Sequence, residues 1–167
     1  MPVTSTHSDL EARTLTMVAE FAAPLERIWQ VYADPRQLEQ VWGPEGYPAT
    51  IVEHELAPGG RMHYFMTSPE SEKYPGAWHV EEVETLRRFT CRDVFTDQDF
   101  TPVPDMPASH NEYRFETVPV GSLSDGTRAT YTCTFETAEG LQQVLDMGVI
   151  EGSTSAINQI DGLLARD

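Results

Sequence analysis

The sequence predicts an α+β protein in which a curved antiparallel sheet of about six to seven strands wraps on one long C-terminal helix. Three observations carry this. β-type runs follow one another with short links through the middle of the chain, which favours antiparallel pairing. One extended helical pattern, residues 138–166, closes the sequence. Two short helical patterns stand just after the first strand run.

In chain order, residues 1–12 are small and polar and are expected to be a flexible N-terminus ahead of a single domain spanning 13–167. RTLTMVAEF (13–21) is rich in β-branched residues and reads as a strand. PLERIWQVYAD then repeats apolar residues at helical spacing through Leu25, Ile28, Trp29 and Tyr32, with Pro24 suited to a first turn. Asp34-Pro35 breaks that pattern, and PRQLEQVW suggests a second short helix. EQVWGPEGYP (39–48) follows as a corner: glycines permit the turn and prolines stiffen it. Strands are expected in TIVEHEL, RMHYFMT, AWHVEEV, RRFTCRDVF, NEYRFETVPV and TRATYTCTFE, and the proline-rich TDQDFTPVPDMPAS reads as a loop. In the last helix, Gly148 and Gly152 are read as tolerated interior glycines.

Side chains alternate across a strand, so the inner face can be read by parity. Met62, Tyr64 and Met66 share one face, as do Trp78 and Val80, then Phe89, Cys91, Asp93 and Phe95. Tyr113 and Phe115 share a face, as do Ala129, Tyr131, Cys133 and Phe135. This aromatic, sulfur-rich set reads either as plain core or as the wall of a pocket for an apolar or aromatic small molecule. The tyrosines point toward a pocket, because buried phenols need hydroxyl partners. Met147, Ile150, Ile157, Ile160 and Leu164 form the expected inner stripe of the last helix, with Thr154 beside it. The candidate ligand-binding residues are therefore Met62, Tyr64, Met66, Trp78, Phe95, Tyr113, Phe115, Tyr131, Cys133, Met147, Ile150 and Thr154.

Composition excludes several classes. Twenty-seven acidic residues against 11 basic give a formal charge of −16, which disfavours nucleic acid and anionic membrane surfaces as partners. Two cysteines without a CxxC spacing are no disulfide framework. The N-terminus has neither the basic start nor the apolar stretch of a signal peptide, so a reducing cytoplasm is the expected location. There is no HExxH, no GxSxG and no phosphate loop, and no metal or cofactor is expected. His54, His63 and His79 lie on successive strands, but His63 and His79 alternate outward. Among the carboxylates Asp93 alone shares an apolar inward face. Desolvated, it is a candidate acid or base; it could equally cap a loop or pair with an arginine.

Taken in order, F-x-A-P-x-x-x-I-W (Phe21, Ala23, Pro24, Ile28, Trp29), D-P (34–35), W-G-P (42–44), P-G-G (58–60), G-x-W-x-V-x-E-V (76–83), G-T-R (126–128) and G-x-x-x-G (148–152) resemble the family of activator of heat-shock-protein-90 ATPase homologues. The likeness covers roughly residues 13–166. It departs where relatives commonly carry W-W-G-P and this chain has Val41-Trp42-Gly43-Pro44, and in the longer, polar SPESEKYPG connection. The resemblance implies the START/SRPBCC superfamily and its helix-grip fold, seen in the birch-pollen allergen, with a cavity between sheet and C-terminal helix. It implies binding of an apolar or aromatic small molecule. The alternatives are a polyketide cyclase or dehydratase using Asp93, and a chaperone-associated interaction module. A homodimer is compatible with the resemblance, and no catalytic triad carries over. Trp42 is expected to pack near one mouth of the sheet, which raises the question of whether it reaches the cavity.

Overall fold

The computed structural model describes residues 1–167. Its elements run β1 (Val3–Asp9), β2 (Thr14–Phe21), α1 (Leu25–Ala33), α2 (Pro35–Trp42), β3 (Ala49–His54), β4 (Arg61–Thr67), β5 (Lys73–Glu84), β6 (Arg88–Phe95), β7 (Ser109–Val120), β8 (Leu123–Phe135), α3 (Ala138–Asp146) and α4 (Val149–Leu164). The strands form one antiparallel sheet in the order β1-β2-β8-β7-β6-β5-β4-β3. The curved sheet and C-terminal helix agree with the helix-grip expectation, but there are eight strands rather than six to seven.

The added strand is β1, inside the segment expected to be flexible. Its interior, Thr4 to Ser8, is polar and exposed, so no apolar alternation announces it. It forms an edge strand against β2, and the Val3 amide donates to Asn158 Oδ1 of α4 at 3.1 Å. A second correction concerns the single long helix. Gly148 adopts φ 87°, a left-handed conformation that ends α3 and starts α4 on a new axis. A side chain there is strained, which is why glycine punctuates rather than interrupts.

Two further motifs acquire physical reasons. Asp34 accepts a hydrogen bond from the Arg36 amide and caps α2, with Pro35 at its first position. Pro24 caps α1 from outside rather than sitting in its first turn. In Gly126-Thr127-Arg128, a Cβ on Gly126 would come within 3.0 Å of the Phe21 carbonyl oxygen. The buried Thr127 hydroxyl donates to the Ala23 carbonyl at 2.7 Å, tying β8 to the start of α1. Arg128 bridges Glu20 and Glu116 on the outer face. Replacing Thr127 with valine is expected to leave that carbonyl unpaired and to cost about 1–3 kcal/mol, measurable as a lower urea midpoint at unchanged m-value.

The core fills the concave face. Trp78, Phe89, Ile28, Leu38 and Met62 are fully buried, and Phe89 stacks on Tyr113 at 4.5 Å between ring centroids. A bulge at Val80/Glu82 in β5 reverses the parity there and turns Val83 inward to pack on the core. None of the helices is long and apolar enough to cross a membrane.

Candidate functional site

Between the concave face, the end of α2 and α4 lies a cavity of about 340 Å³. Cross-strand register explains its walls. One inward row runs Val80, Cys91, Asn111, Cys133 and Leu15; the next runs Met62, Trp78, Asp93, Ser109 and Phe135. A third pairs Tyr64 with Gly76 and Phe95. Gly76 matters because a Cβ there would lie 2.5 Å from the Tyr64 hydroxyl oxygen. Its absence lets the Tyr64 ring lean across β5, and the hydroxyl donates to Asp93 Oδ1 at 3.3 Å.

Of the residues expected at a binding site, Tyr64, Met66, Phe95, Tyr113, Tyr131 and Cys133 line the cavity, as does Asp93. Met62, Trp78 and Phe115 face inward but are packed into the core rather than lining the open space. Met147 falls at the corner between α3 and α4 and is 57% exposed, which removes it from the wall. Ile150 packs on the satellite cluster of Leu15, Phe135, Leu141 and Val144, and Thr154 is half-buried off the wall. The break at Gly148 resets the helical phase. The stripe that α4 presents is Val149, Gly152, Ser153, Ala156, Ile157 and Ile160, a 3,4 spacing that only the later positions share with the expected one.

Trp42 does reach the cavity. Its ring sits edge-on to Tyr64 at 5.6 Å and to Trp78 at 5.0 Å, so it both walls the space and covers the core tryptophan. Its indole N–H has no partner meeting hydrogen-bond geometry, although it lies close enough to the Tyr64 hydroxyl to favour the phenolate slightly. Asn111 was missed, yet parity with Tyr113 and Phe115 places it inward. It is 4% exposed, lines the cavity, and its Oδ1 is unpartnered.

Electrostatically the site is an apolar chamber with one acid. Burial pushes the Asp93 carboxyl up to about 7, and the Tyr64 hydroxyl and nearby Trp78 indole offset only part of that. The Trp78 N–H approaches Asp93 without closing a well-formed hydrogen bond. Burial also pushes Cys91 well up and, with Asp93, Cys133 to about 12, so both thiols are protonated and poorly nucleophilic. The Tyr32 and Tyr131 hydroxyls pair at 2.7 Å at the cavity floor, both raised by burial. His54, held neutral by burial, sets its Nε2 2.7 Å from the Tyr32 carbonyl. His63 stacks on Phe100 at 4.5 Å and His79 is exposed, so the three strand histidines do not converge.

Comparison with known proteins places this geometry among relatives. The family model described as Activator of Hsp90 ATPase homolog 1-like protein matches residues 22–165. Protein Ms6760 from Mycobacterium smegmatis is 58% identical, with a TM-score of 0.87 over 98% of this chain and 97% of its own. An Arthrobacter aurescens protein is 38% identical, with a TM-score of 0.90 over 99% and 93%. A Staphylococcus epidermidis protein, 24% identical with a TM-score of 0.82 over 98% and 94%, shares the fold. No curated protein matches the chain.

Proposed function

Since the chain belongs to the Activator of Hsp90 ATPase homolog 1-like family, we propose that it binds an apolar or aromatic small molecule between the sheet and α4. The observation that carries this reading is the cavity itself. Its volume of about 340 Å³ lies within the range of small-molecule sites, and 19 of its 26 lining residues are hydrophobic. At about 30 Å³ per molecule it would hold roughly ten waters, against walls that offer most of them no hydrogen bond. Displacing such water by an apolar body is favourable. Asp93, Tyr64 and Asn111 supply the few polar contacts that orient a ligand.

Native mass spectrometry of gently purified protein is expected to show a co-purified small molecule. N-phenyl-1-naphthylamine, a neutral fluorescent probe, is expected to bind saturably. Ala156→Trp places an indole from α4 in the open space and should weaken the probe by about tenfold or more, with the fold retained because the ring fills a void. Neither co-purified species nor saturable probe binding would count decisively against the reading.

One observation favours a second reading. A cavity-lining carboxyl near pKa 7 with a tyrosine hydroxyl at 3.3 Å suits general acid–base work, as in a cyclase or dehydratase acting on a polyketide-like substrate. Unchanged turnover of such a substrate by Asp93→Asn would exclude it.

A further inference from the structure

The polar end of the cavity has a one-sided chemistry. Asp93 is the only acidic residue among those lining it, and no lysine, arginine or histidine lines it. A buried carboxylate that serves the fold is ordinarily met by a cation or by several N–H donors. Asp93 has one hydroxyl at 3.3 Å and an indole N–H that does not close a bond. The other titratable groups facing Asp93 are Tyr64 from β4, Cys91 from β6, Tyr113 from β7 and Cys133 from β8. Burial holds all four protonated and neutral, so Asp93 is the one ionising group at this end of the cavity and no cation meets it.

We propose that the ligand is a lipophilic cation: a protonated amine on an apolar or aromatic body, its ammonium set against the Asp93 carboxylate. An ammonium carries donors and no acceptor, which is the complement of a carboxylate that no cation meets. The rings of Trp42, Tyr64 and Tyr113 around the same space add favourable cation–π contact. An anionic ligand would instead place like charge beside Asp93. The formal charge of −16 draws cations to the protein and repels anions on approach. The inference rests on the cavity being a ligand site, as proposed above.

The test displaces N-phenyl-1-naphthylamine at pH 8 with three matched competitors: 2-naphthylmethylammonium, 2-naphthylmethanol and 2-naphthoate. The ammonium is expected to bind about tenfold or more tighter than the alcohol, and the carboxylate weakest. In Asp93→Asn, with folding verified by circular dichroism, the ammonium-to-alcohol ratio should fall to about one. If the three competitors bind alike, or the carboxylate binds best, the cation inference is overturned while the cavity reading stands. Persistence of the ammonium preference in the Asn variant also overturns it, by assigning the preference to overall charge. Failure of the probe and of all competitors overturns the cavity reading and this inference together.

Discussion

Trp78→Ala is expected to destabilise the protein by about 3–5 kcal/mol, a large part of the 5–15 kcal/mol that holds a typical domain folded. Trp78 is fully buried at the centre of the sheet's concave face. Trp42 meets it edge-on at 5.0 Å, with Tyr113 at 5.3 Å and Phe89 at 5.6 Å. The loss has two parts. The favourable burial of the indole's apolar surface in the native state is lost, and a void opens that neighbouring rings fill only partly. Each aromatic pair adds about 0.5–1.5 kcal/mol beyond its area, though the pairs share one ring and do not simply add. Urea unfolding followed by far-ultraviolet circular dichroism measures it. Val52→Ala, at a position 59% exposed, is the control and should stay within about 0.5 kcal/mol. A Trp78→Ala cost below about 1 kcal/mol would contradict the packing described.

Asp93→Asn is expected to do the reverse above neutral pH. The carboxyl titrates near 7 in the folded protein and near 4 when unfolded. Between those values the native state holds a proton that the unfolded chain releases, so stability falls as pH rises through the window. The fall levels off about one pH unit above 7 and amounts to some 4 kcal/mol, at 1.36 kcal/mol per pKa unit. Asparagine keeps an acceptor for the Tyr64 hydroxyl and carries no charge to desolvate. The variant should therefore match the wild type near pH 4 and become steadily more stable than it up to pH 8. Melting temperatures across that range check this. A difference that stays flat with pH, or a variant less stable at pH 8, would show that the carboxylate is well solvated or well paired.

Much of the cavity wall was legible because a strand's parity is a local property. Tyr64, Asp93, Phe95, Tyr113, Tyr131 and Cys133 all face inward as alternation requires. Depth on that face was not legible. Met62 and Tyr64 share one side of β4, yet one is sealed in the core and the other lines open space. That difference depends on where α2 and α4 lie over the sheet, which is set by contacts far apart in sequence, such as Gln159 Nε2 donating to the Gly43 carbonyl at 2.7 Å. The α4 stripe was misphased for a local reason. Gly148 could sit within a helix or end one, and only its φ of 87° decides between them. β1 escaped notice because an edge strand with both faces in water needs no apolar alternation. EQVWGPEGYP, with nothing in its composition to separate a ligand loop from a corner, proves to be a corner whose tryptophan walls the cavity.

Ligand binding in the space under α4 can be read from the protein's six methionines. Met17 and Met66 line the cavity, whereas Met1 and Met147 are exposed and Met106 lies in the loop before β7. With the methionine methyl groups labelled by carbon-13, titration with N-phenyl-1-naphthylamine is followed by nuclear magnetic resonance. Saturable shifts at Met17 and Met66, with Met1, Met106 and Met147 unmoved, are the expected result. Shifts confined to the exposed methionines, or no saturable shift at Met17 and Met66, would contradict it.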